Sequence, residues 1–150
     1  MKKVNFVPVI VFLIISALYT LSLADAPQGL TFLTIGVGGK ATGMGEAAIA
    51  ITDDPTAAYW NPAGLASAQT SGAVFMFNRW IQDVSGQFAA GNYRRGHSAI
   101  AIHYLGMNVD GIERRTGPSA NPTGTFGAHD IAVGLSYARD MGIGLQLGTT

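Results

Sequence analysis

Cysteine is missing from all 150 residues, which excludes a disulfide framework and leaves no thiol for a lipid anchor. Charge is also scarce: Asp, Glu, Lys and Arg make up 12% of the chain, about half the usual share of a soluble domain. Basic and acidic residues balance at nine each, so there is no basic stripe of the kind that nucleic-acid binding needs. After residue 24 no apolar run reaches the roughly 17–25 residues of a spanning helix. Hydrophobic residues nevertheless make up 48% of the chain, beside 20 glycines. Low charge, abundant glycine and no helical span fit a membrane β-barrel. A soluble β-sandwich would show a more charged solvent face.

The amino terminus carries the clearest address. Lys2 and Lys3 precede an uncharged stretch from Val4 to Ala24, and both Ala24 and Ala26 end small-residue cleavage patterns. Residues 1–24 therefore read as a secretory signal peptide. The rival is a retained anchor, since Phe6 to Leu23 is long enough to span. Removing Lys2 and Lys3 leaves seven basic residues against nine acidic, and no glycine is lost.

Residues 25–70 form a distinct unit. After a linker, Thr31–Ile35 is β-prone, and Gly36, Gly38, Gly39, Gly43 and Gly45 then crowd into ten residues. Such a cluster lets the backbone bend tightly. Asp54 followed by Pro55 reads as a helix cap and first helical position. The predicted helix, Pro55 to Trp60, is short because Pro62 drives Asn61 out of helical geometry. A compact, kinked leader ahead of strands suggests a hatch.

From Ser71 onward the period is two. Ile100, Ile102 and Tyr104 alternate with Ala99, Ala101 and His103; Ile131, Val133, Leu135 and Tyr137 alternate with Ala132, Gly134, Ser136 and Ala138. Ile143, Leu145 and Leu147 continue the pattern. One bulky apolar face and one small or polar face match lipid-out, lumen-in alternation. Phe75 and Phe77 oppose Val74 and Met76, as expected where a strand also packs on a hatch. The spacing predicts about five strands of roughly 9–11 residues. They are joined by short turns at Arg94-Arg95-Gly96 and Arg139-Asp140, with a long loop from Gly106 to Gly127. Five strands cannot close a barrel, whose count starts at about 8. Residues 71–150 are thus expected to be the first strands of a longer all-β, antiparallel transmembrane barrel.

No motif for covalent chemistry emerges, and no enzyme, cofactor or metal is expected. Gly36-Val37-Gly38 lacks the third glycine of a dinucleotide fingerprint, and Gly39-Lys40 is followed by Ala41 where a P-loop needs Ser or Thr. Asp53 and Asp54 are adjacent in a turn and point apart, so a structural role, with Lys40 or wall arginines as partners, is expected over acid–base work. His97, His103 and His129 lack metal-ligand spacing. Ser71, Ser85 and Ser98 stand in no nucleophile elbow. Trp80, Tyr93, Tyr104 and Tyr137 fit an interfacial aromatic girdle. Tyr59 and Trp60 fit contact with the inner wall or with a hydrophobic ligand.

Gly43-Met44-Gly45, Asp53-Asp54-Pro55 and Tyr59-Trp60-Asn61-Pro62-Ala63-Gly64-Leu65 closely resemble the start of the PorV/PorQ family of FadL-like outer-membrane barrels. The resemblance covers residues 36 to 66. It implies 14 strands in the whole protein and an N-terminal hatch containing Asn61, Pro62 and Ala63. It also implies an outer-membrane location and passive transport of hydrophobic compounds. The alternative within the family is a type IX secretion component that binds exported proteins, with the 107–126 loop at the surface. A soluble adhesive β-protein is a third and weaker reading. Glu46 departs from the family pattern, where a small residue is usual, and a charge there could pair with a lumen arginine.

Overall fold

The computed structural model describes residues 28–81, 83–118 and 121–150. The expected signal peptide, residues 1–24, and residues 25–27 of the linker after it lie outside the described residues. The chain divides into Met1–Thr31 and Phe32–Thr150. Of the first unit only the opening of a 3-10 helix, Gln28–Thr34, is described; the second carries all that follows.

Five strands form one antiparallel sheet in sequence order: β1 (Gly72–Arg79), β2 (Val84–Arg95), β3 (Ser98–Arg114), β4 (Gly124–Asp140) and β5 (Gln146–Thr149). The order follows from hairpins alone. Gly96, at φ +60, makes the β2–β3 turn, and Gly142 and Gly144, at φ +70 and +76, make the β4–β5 turn; glycine takes such angles without steric cost. Among the described residues no helix is long and apolar enough to cross a membrane.

The alternation of the sequence becomes two unlike faces. Ala99, Ala101, Leu105, Ser136 and Ala138 are buried on one, together with Phe88 and Ala90 of β2. The other presents Phe75, Ile100, Ile102, Ile131, Val133 and Leu135, all more than half exposed. On the small-residue face lies the helical leader: α1 (Gly39–Gly43), α2 (Ala57–Trp60) and a 3-10 turn, Pro62–Ala66. Ala57, Ala58, Leu65 and Ala66 meet Ala99, Ala101 and Ala138 in one cluster. Methyl-sized side chains on both partners let the leader sit close to the sheet. A second cluster joins Phe32 and Val37 of the leader to Phe88, Ala90 and Leu105.

Several local expectations are corrected. Thr31–Ile35, β-prone by composition, lies largely within the 3-10 helix, because strand propensity is realised only beside a pairing partner. The glycine cluster does not merely bend: Gly39–Gly43 closes a short helix, with Thr42 N bonded to Gly38 O at 3.0 Å. The long loop from Gly106 to Gly127 is mostly strand, paired from Gly106↔Ile131 out to Arg114↔Gly124. The true connection is residues 115–123. Strand lengths of 8, 12, 17, 17 and 4 residues replace an even 9–11. Ile143 and Leu145 sit in a turn rather than a strand, since the flanking glycines hold left-handed angles. Arg94 and Arg95 end β2, and Arg139 and Asp140 end β4; in neither case do they form the turn.

Candidate functional site: the leader on the sheet

Asp53-Asp54-Pro55 works as local scaffolding. Asp54 Oδ1 accepts from Thr56 N at 2.8 Å and from the Thr56 hydroxyl, and Ala57 N reaches Asp54 O at 3.0 Å. The helix starts at Ala57, two residues later than Pro55, yet the aspartate still satisfies a free amide ahead of it. Asp53 faces Lys40 Nζ at 3.7 Å, with both side chains more than half exposed; such a pair adds little stability. Asp54→Ala is expected to cost about 1 kcal/mol, read from urea unfolding of the purified protein. An unchanged midpoint would mean that Asp54 does not hold this turn.

Asn61 leaves helical geometry as its proline neighbour requires, at φ −159 and ψ 94. From there its side chain serves two segments. Oδ1 accepts from Ala63 N at 3.2 Å, capping the Pro62–Ala66 turn, while Nδ2 donates to Ile49 O at 3.1 Å. Gly64 is buried where any Cβ would strike the Thr52 carbonyl oxygen. Pro62 and Ala63 press on β5: a Cβ at Gly148 would run into their backbone. Side chains of the sheet complete the attachment. Arg94 Nη1 donates to Ala68 O at 2.6 Å, Asn92 Nδ2 to Thr70 O at 3.2 Å, and the Thr150 hydroxyl to Ala58 O at 3.2 Å.

Tyr59 and Trp60 use their polar ends on the leader itself. The Tyr59 hydroxyl donates to Leu33 O and Ile35 O, and Trp60 Nε1 donates to Val37 O at 2.9 Å. Burial, and secondarily the Glu46 carboxylate, push the Tyr59 phenol above its ordinary range, so it stays a donor. Their rings stand edge to face at 5.1 Å, and Tyr59 meets Phe88 edge-on at 6.2 Å. Both side chains therefore clamp residues 33–37 against the wall. Met76 adds a further tie from β1, its Sδ accepting from Gly38 N at 3.1 Å.

Gly43 and Gly45 are open to space, and Gly45 takes φ +61. Glu46, also left-handed at φ +67, forms no ion pair with an arginine among the described residues. Its carboxylate instead lies over Gly36, where a Cβ would collide with it. Of the expected girdle, Tyr93 and Tyr137 are exposed on the outward face. Trp80 differs: its ring covers Gly86, which has no side chain of its own. His103 faces inward beside Phe88, its ring filling the space over Gly134. His97 sits in the β2–β3 turn, where its carbonyl accepts from Asp140 N. Among the described residues no three of His, Cys, Asp and Glu converge as a metal group.

Sequence reasoning missed Gly148, Asn92, Arg94 and Met76, because each acts on a leader more than ten residues away in sequence. Packing on the leader was readable only for the strand of Met76, and Arg94 was read as part of a turn. Compared with family models, curated proteins and solved structures, the chain finds no match.

Proposed function

We propose that this chain is the hatch and first strands of an outer-membrane β-barrel of the PorV/PorQ, FadL-like type, passing hydrophobic compounds when the hatch moves. The observation that carries the reading is the outward face. Phe75, Tyr93, Ile100, Ile102, Ile131, Val133 and Leu135 form an apolar surface across the four neighbouring strands β1 to β4, of a size that monomeric soluble proteins rarely leave in water. Its height fits a bilayer. On the outward face of β4, His129 and Arg139 bracket Ile131, Val133, Leu135 and Tyr137. The ten residue steps between them make about 34 Å along a strand, or roughly 26 Å of height at a ~40° tilt, close to the ~25 Å band of such barrels. The five strands form an open sheet, so this reading requires further strands beyond β5.

The leader supports the hatch part of the proposal, since it covers the face that a barrel would turn to its lumen. Deleting residues 36–65 from the full-length protein is expected to raise single-channel conductance in planar bilayers severalfold. Equal conductance would reject the hatch. A heat-modifiable gel shift tests the barrel separately.

One feature favours the secretion reading as the second. Beyond the end of β2, which pairs Val84 with Val109, β3 and β4 continue as a two-stranded arm, with Glu113, Arg114, Thr125 and Phe126 exposed. Such an arm could hold an exported protein. Cells lacking the protein distinguish the two: lost fatty-acid uptake supports transport, whereas unchanged uptake with lost protein secretion supports cargo binding.

A further inference from the structure

The outward face of β4 ceases to be apolar at His129, and there three acceptor atoms gather over one glycine. Asn108 and His129 are direct partners across β3 and β4, with Asn108 Oδ1 2.9 Å from His129 Nδ1. An amide oxygen only accepts, so Nδ1 is the donor here, and in the neutral ring Nε2 is then the nitrogen with the free lone pair. The register then breaks: Val109 pairs with Ala128 and Ile112 with Phe126, leaving Asp110 and Gly111 opposite Gly127. Gly111, at φ +71, makes this bulge. Bulges re-aim side chains, and this one brings Asp110 toward His129. A Cβ at Gly127 would lie 2.9 Å from Asp110 Oδ1, 3.3 Å from the Val109 carbonyl oxygen and 3.7 Å from His129 Nε2.

We infer that this bulge is a site for a borderline divalent transition ion such as Zn²⁺, held by His129 Nε2 and the Asp110 carboxylate. A neutral imidazole and a carboxylate are ligands that zinc accepts, at about 2.0–2.2 Å. Asn108 supplies what a ligating histidine usually has, an acceptor on its other ring nitrogen that fixes tautomer and orientation. Gly127 leaves the space between the ligands free of a side chain. Both ligands are exposed, so a small rotation of the Asp110 carboxylate suffices to close on the ion. Water, and the Val109 oxygen, fill the remaining positions. The site lies on two strands hydrogen-bonded to each other and does not depend on the membrane reading.

The test is a Zn²⁺ titration of the full-length protein, followed by calorimetry and by the ring resonances of His97, His103 and His129. One saturable equivalent is expected, moving His129 and leaving His97 and His103 in place. Binding is expected to vanish in His129→Gln and to weaken sharply in Asp110→Asn. Asn108→Ala, a change to a positioning residue, is expected to weaken it about tenfold with an unchanged circular dichroism spectrum. The inference is overturned if the wild type shows no saturable binding, if His129→Gln binds as before, or if His129 takes up a proton and no zinc.

Discussion

Replacing Phe88 by alanine is expected to destabilise the protein by about 3–5 kcal/mol, the range for emptying a large aromatic site. Phe88 has no exposed surface at all. It sits on the inward face of β2, between Met76 and Leu105 on the flanking strands, with Phe32 and Val37 of the leader in the same cluster. The edge of Tyr59 and the ring of His103 both approach it at 6.2 Å. Two layers therefore lose contact at once, and the leader cannot follow the void, because Tyr59 and Trp60 already bind residues 33–37 to themselves. Urea unfolding in detergent would measure the change. A cost below about 1 kcal/mol, the scale of a single methylene, would mean that this cluster does not hold the leader.

The second large effect is expected at Gly148. A valine there must displace the Pro62–Ala63 backbone, and main chain cannot rotate out of the way as a long side chain can. Overpacking typically costs 1–3 kcal/mol, and a rigid backbone obstacle puts this case at about 3. The Pro62–Ala66 turn should lift from β5, carrying with it the Ser67–Gln146 and Thr150–Ala58 hydrogen bonds. Limited proteolysis would show this as new cleavage within residues 57–70. Gly117→Val, at a position with open space around it, is the matched control and should leave the pattern unchanged. Equal protection of the two variants would mean that β5 is not a seat for the leader.

The two predictions mark where sequence reading succeeds and where it stops. Strand identity was legible from residues 99–104 and 131–138, since period-two alternation states both the conformation and the face. The exit from helix at Asn61 was legible too, because a proline restricts its predecessor whatever surrounds it. Strand ends were not. Residues 107–114 and 124–130 carry glycines, charges and few apolar pairs, and became strand only because each found its partner along an extended hairpin. Ile143 shows the converse: its alternation predicts a strand, but Gly142 and Gly144 take left-handed angles and turn the chain instead.

For the leader the division is sharper. Its kinks come from local rules at Asp54, Pro55, Asn61 and Pro62, so the sequence alone determined where it bends and that it is small. Which surface it covers was a tertiary decision. The alanines of β3 and β4 left room at the inward face, and Gly148 let a turn approach the backbone of β5. Asn92 and Arg94 reached carbonyls that no local pattern reveals. Local dihedral preferences act over a few residues and can be read in order. The fit of one surface to another depends on groups far apart in the chain, and only the folded sheet brings them together.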